Sequence, residues 1–188
     1  MTTDGASMTA QETLNTWLSE GQSARDRLTR GPGPGVIHAE HLSGKSGLEV
    51  MQAMQNGEVP HATIGATLNF MPLEIEHGRA LFQGQPGPEH LNPMGTVHGG
   101  WFATVLDSAL GCAVHSMLPA GRGYTTAELS VNIVKALTPK AGPVRAEGKV
   151  LHCGRQLATA EARLFGADGT LYAHATTTCL VFELPKKG

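Results

Sequence analysis

The sequence predicts an α+β fold in which one curved antiparallel sheet wraps along one long central helix. The first observation behind this is a proline-free stretch from His98 to Leu118. In it Phe102, Leu106, Ala109, Ala113 and Met117 recur at three and four, widened by Val105, Leu110 and Val114. The second is a set of period-two segments on both sides of that helix, at about 62–70, 71–77, 79–85, 124–137, 143–153, 155–166 and 170–183. The third is the turn chemistry between neighbouring segments. His77-Gly78, Pro139 to Gly142, Cys153-Gly154 and Asp168-Gly169 are short connections of the kind that join antiparallel strands.

Before these strands, residues 10–30 carry Leu14, Trp17, Leu18 and Leu28 among polar residues, the pattern of a weakly amphipathic helix. Gly31-Pro-Gly-Pro-Gly35 ends it and reads as a linker. Leu48, Met51 and Met54 then recur at three, and Gly57 is placed to adopt the left-handed cap of a short helix over 47–56. Of the later strands, 143–153 is the clearest. Val144, Ala146, Gly148 and Val150 alternate with Arg145, Glu147 and Lys149, so one face is buried and the other wet. The chain divides into an N-terminal extension, 1–46, and one domain, 47–185, with no internal repeat.

Composition narrows the functional classes. A chain of 188 residues, 40% hydrophobic and with a formal net charge of −2, has neither the profile of a disordered protein nor the basic field that nucleic acid requires. The opening residues lack a basic then apolar leader, and no apolar run approaches membrane-spanning length, so the expectation is a cytoplasmic protein without a membrane partner. Cys112, Cys153 and Cys179 form no C-x-x-C pair, and neither they nor the nine histidines, His38-x-x-His41 included, show metal-ligand spacing. No metal and no cofactor is expected.

The central helix carries a second, small and polar stripe: Gly100, Thr104, Asp107, Gly111 and His115. A mid-helix aspartate has poor propensity and no capping role. A stripe with two glycines and almost no long charged side chains does not suit a solvated face either. His98-Gly99-Gly100 opens the helix and leaves backbone N–H groups unpaired there, aided by the helix dipole. Such donors polarise a carbonyl and hold the oxyanion of a tetrahedral intermediate, and glycine permits close approach. Asn92 offers a side-chain amide to the same oxygen, or serves as a turn residue before Pro93. His98 reads either as a base or as a histidine that fixes the loop, since no acid has spacing that marks a triad. Gly99 and Asp107 are separated by about 12 Å of helix rise, far beyond the roughly 3 Å reach of a base. A two-fold dimer with antiparallel helices would bring Asp107 of one chain to the Gly99 donors of the other.

Three segments carry a resemblance to a known family: Leu91-Asn-Pro-Met-Gly-Thr-Val-His-Gly-Gly-Trp-Phe-Ala-Thr-Val-Leu-Asp107, Tyr124-Thr-Thr-Ala-Glu-Leu-Ser-Val-Asn132, and Ala173-His-Ala-Thr-Thr-Thr178. In these the chain, from about Gly47 to Phe182, resembles the hotdog-fold acyl-CoA thioesterases of the phenylacetyl-CoA (PaaI-like) type. The resemblance implies a hotdog fold, edge-to-edge homodimers that often pair into homotetramers, and hydrolysis of an aryl- or fatty-acyl-CoA. It places the family's carboxylate on Asp107, its oxyanion donor on the Gly99 amide and its carbonyl-binding asparagine on Asn92. Its water-orienting hydroxyl falls on Thr126, or on Thr125 if the loop aligns one residue the other way. His98 and Gly100 fall at the substrate. Lys135, Arg122 and Arg155 are cations that the coenzyme A phosphates could meet, and none is assigned to them. Two other readings stand beside hydrolysis: an acyl-CoA-binding sensor without turnover, and a hotdog enoyl-CoA hydratase or dehydratase.

Overall fold

A computed structural model describes residues 8–185; the reading of the first seven residues as lacking a leader lies outside them. Helix α5, Gly99–Ser116, forms the axis of the core. His98 caps it: its Nδ1 accepts the Gly100 N–H at 2.9 Å. Phe102, Val105, Leu106, Ala109, Leu110, Ala113 and Val114 are all at most 1% exposed, so the stripe read from the sequence is the buried face. Around it runs one six-stranded antiparallel sheet in the order β1-β2-β4-β5-β6-β3. Its strands are β1 Phe70–Glu76, β2 Arg79–Gly84, β3 Arg122–Ile133, β4 Val144–Cys153, β5 Leu157–Gly166 and β6 Leu171–Glu183. Register shifts at Pro72/Glu74, Thr126/Glu128 and Val150/His152 interrupt the ladders. Such bulges bend strands, as a sheet that wraps a helix requires.

The helix and sheet touch closely at Gly148 of β4. A Cβ there would stand 2.4 Å from the Ala109 carbonyl oxygen and 2.6 Å from its carbon, and a backbone neighbour cannot turn away. Gly148→Ala is therefore expected to destabilise the fold by about 3 kcal/mol, read in a thermal melt as a Tm lower by roughly 10 °C.

The segment expected as a strand over 62–70 is instead a helical turn, α4 Thr63–Thr67, followed by Asn69 at φ 52°. The alternation of Ala62, Ile64, Ala66 and Leu68 does not report burial, because Ile64 is 45% exposed. Its carbonyls go to side chains rather than to a ladder: the Leu68 oxygen accepts Trp101 Nε1–H at 2.8 Å, and the Thr67 oxygen lies 3.2 Å from His90 Nε2. The strand thus begins only at Phe70.

The N-terminal residues are packed on the sheet. Helix α1, Ala10–Arg30, starts with a Thr9/Glu12 capping box and lays Ala24 and Leu28 against Met71, Leu73 and Leu81. Arg145 stacks over Trp17 at 4.4 Å, reaches Glu20, and donates from Nε to Gln83, whose amide in turn donates to the Trp17 carbonyl. The Gly/Pro stretch is pinned as well. The Gly35 N–H donates to the His61 oxygen at 2.8 Å, and the His61 N–H to the Gly33 oxygen at 3.2 Å. Helix α2 spans Ala39–Leu42, and α3, Gly47–Gln55, ends with Gly57 at φ 74° as expected.

Candidate active site

Asp107 lies on α5 where the helix face passes beneath β3. Thr126 Oγ1 donates to Asp107 Oδ1 at 3.0 Å. The bulge at Thr126/Glu128 falls beside that hydroxyl, a usual place for one next to a functional group. Thr126 rather than Thr125 is the hydroxyl that meets the carboxylate. A charge-assisted bond of this kind fixes one carboxylate oxygen and leaves the other for a second partner.

Beside Asp107 opens a cavity of about 190 Å³ lined by Met54, Phe70, Phe82, Cys112 and Tyr124 among others. Burial, with Asp107 nearby, pushes the Cys112 thiol up to about 12, and burial raises the Tyr124 phenol well above its ordinary range. Neither is an anion at neutral pH. The sequence reading gave Tyr124 no role. Gly111 makes room for it: a Cβ at Gly111 would stand 2.3 Å from the Tyr124 oxygen. His115 packs edge-on against the same ring at 5.5 Å, and burial lowers its pKa. The polar stripe of α5 is thus split. Its Gly111–His115 half is covered by the chain's own Tyr124, while Gly100 is exposed and Thr104 and Asp107 are half-buried.

At the other end of α5, the Gly100 N–H is taken by His98, whose Nδ1 is therefore an acceptor. The Gly99 N–H has no acceptor among the described residues. Asn92 is engaged within its turn: Oδ1 accepts the Met94 and Thr96 N–H groups at 2.9 and 3.2 Å, and Nδ2 donates to Thr96 Oγ1 at 2.9 Å. One Nδ2 hydrogen is left over. The loop is anchored by His90, a residue that no sequence signal marked. Its carbonyl accepts the His98 N–H at 2.9 Å and its Nδ1 accepts the Gly87 N–H at 2.8 Å. Arg122 donates to the Arg155 carbonyl, and Lys135 lies 5.8 Å over the Tyr172 ring, so the structure brings neither to Asp107. No group of three or more metal-ligating side chains is gathered among the described residues, and no helix there is long and apolar enough to cross a membrane.

Comparison with known proteins agrees with this architecture. Residues 94–173, which include Gly99, Asp107 and Thr126 but not Asn92, match the thioesterase superfamily. A Halobacterium salinarum protein provisionally named an esterase is 33% identical over 106 residues, 56% of this chain and 66% of that protein. A Saccharolobus solfataricus protein of the same provisional name is 31% identical over 108 residues, 57% of this chain and 75% of that one. Among solved structures, a phenylacetic acid degradation-related protein of Ralstonia eutropha, provisionally named a thioesterase, superposes with a TM-score of 0.64 at 26% identity. That match covers 69% of this chain and 98% of the other. A Streptococcus mutans protein solved with acetyl CoA bound has a TM-score of 0.57 at 25% identity, over 63% of this chain and 92% of that one. With its six-stranded antiparallel sheet wrapped on α5, the chain belongs to the hotdog-fold thioesterase superfamily.

Proposed function

We propose that the protein is an acyl-CoA thioesterase whose active sites are shared between two copies of the chain. The observation that carries this reading is the pairing of two half-sites on one helix: a carboxylate held by Thr126 on the wall of an apolar cavity, and a Gly99 N–H at the helix N-terminus without an acceptor among the described residues. In this reaction Asp107 takes a proton from water as the water oxygen attacks the thioester carbonyl. The negative charge that develops on the carbonyl oxygen is held by the Gly99 amide of the other chain. The intermediate then collapses, the C–S bond breaks, and the thiolate recovers the proton, leaving free acid and CoA thiol. His98 consumes the Gly100 N–H and so shapes the donor end rather than acting as a base. Asn92 has one amide hydrogen left for the same oxygen.

Two features support a dimer. The Gly99-to-Asp107 separation of about 12 Å excludes a site closed within one helix. Strand β3 ends the sheet with its outer edge free among the described residues, and Ile133 and Val134 near its end are 46% and 55% exposed. The bound acetyl CoA of the Streptococcus mutans relative supports the choice of thiol.

The test is thiol release from a panel of aryl, short, medium and long acyl-CoAs, with Asp107→Asn as control. Hydrolysis of at least one member is expected, and none at all would shift the reading to a binding protein. Thr126→Val should lower kcat about 10- to 150-fold with little change in KM, because a hydrogen bond to a charged group is lost (about 1.5–3 kcal/mol). Thr126→Ser should keep most of the activity.

A further inference from the structure

The cavity beside Asp107 is walled partly by residues outside the stretch matched to the superfamily. Met54 comes from α3, and His61, Ala62 and Gly65 from the segment that runs into α4. Three of its lining residues, His61, Gly65 and Phe70, also line a second groove of about 420 Å³ under α1, whose other walls include Arg25, Leu28, Thr29 and Pro34. The two spaces are neighbours across one partition.

We infer that His61 is a specificity-determining residue, the end wall that limits the substrate's acyl group to a ring-sized or short chain. This rests on the acyl-CoA reading above. Size supports it first. An apolar cavity of about 150 Å³ takes one benzene ring, whereas sites for drug-sized ligands run to roughly 300–1,000 Å³. The space of about 190 Å³ beside Asp107 is therefore filled by an aryl or short acyl group, and the groove beyond His61 offers room for more.

The placement of His61 supports it next. Its backbone is fixed on both sides, to Gly33 and Gly35, so the wall stands where the N-terminal segment holds it. Its imidazole has no hydrogen-bond partner among the described residues, and burial lowers its pKa, which keeps it neutral beside an apolar chain. Replacing it removes volume from the partition without breaking a side-chain bond.

The experiment compares wild type, His61→Ala and His61→Phe for kcat/KM on acyl-CoAs of four, eight, twelve and sixteen carbons and on an arylacetyl-CoA. Wild type is expected to favour the aryl and four-carbon substrates. His61→Ala should raise the twelve-to-four-carbon ratio at least tenfold, since each methylene that becomes buried gains about fourfold. His61→Phe, which keeps the wall, should retain the wild-type profile. Adding Thr29→Trp to His61→Ala refills the outer groove and should reverse the gain.

The same ratio is measured calorimetrically with four- and twelve-carbon alkyl-CoA thioethers, which cannot be hydrolysed. Absence of turnover with this binding ratio shifted would sink the hydrolase reading and keep the partition. An unchanged ratio in folded His61→Ala, by turnover or by binding, would overturn the assignment of His61.

Discussion

Asp107→Asn is expected to abolish thioester hydrolysis nearly completely, lowering kcat by about 10²–10⁴-fold, the range in which a positioned base contributes. The substitution is nearly isosteric. Thr126 can still donate to the remaining carbonyl oxygen, and Asp107 is only half-buried, so packing on α5 is undisturbed. What is lost is the ability to accept a proton from water. The Cys112 thiol and the Tyr124 phenol do not supply it, since both are held protonated by burial, and the Cys179 thiol is raised as well. His115 packs edge-on against the Tyr124 ring. Steady-state thiol release together with a thermal melt separates chemistry from folding. Activity above a tenth of wild type in a variant of unchanged Tm would show that another group is the base.

Why Asp107 could be singled out from sequence while its surroundings could not is a matter of which information is local. A carboxylate in the middle of a small, polar helical stripe conflicts with propensity and solvation at once, and both are read within five turns of chain. The strands from 122 onward were legible for the same reason: alternation and turn residues are short-range. Residues 62–70 show the opposite case. Their alternation suits a strand, but Trp101 and His90, more than twenty residues away, take the carbonyls and leave a helical turn.

Residues 10–30 were legible as a helix and not as a sheet-packing one, because Trp17 finds its partners in Arg145 and Gln83. The cavity shares this limit. Met54, His61, Phe82 and Tyr124 come from three separate elements and a connecting segment, and none differs in its own neighbourhood from an ordinary core or loop residue. Thr126 was nearly indistinguishable from a strand threonine until the packing of β3 on α5 set its hydroxyl 3.0 Å from Asp107. Local chemistry marks the charged group, and only tertiary packing marks what surrounds it.

Gly99→Pro tests the other half-site, and here the fold helps the experiment. Gly99 is the first residue of α5, the position where proline is best tolerated because its missing N–H has no partner in the helix. His98 already has φ −63° and ψ 140°, the extended conformation that a following proline demands. A Cβ at residue 99 would meet only Ile133 Cδ1, at an ordinary 3.4 Å. The substitution therefore removes one hydrogen-bond donor, whose place the ring Cδ takes, and disturbs the fold little. Loss of an oxyanion donor lowers kcat by about 10²–10³-fold, and Tm should stay within a few degrees.

Mixing this variant with Asp107→Asn then decides where the two halves meet. In a mixed dimer one site combines the intact Gly99 of the first chain with the intact Asp107 of the second, while the other site carries both defects. Random exchange makes about half of the dimers mixed, so the mixture should regain about a quarter of wild-type activity from two parents that are each nearly inactive. If subunit exchange is shown by mass and no activity returns, Gly99 and Asp107 do not serve one site across the interface. Recovery to that level would assign each active site one oxyanion donor and one base from opposite chains, and with it make dimerisation a condition of turnover.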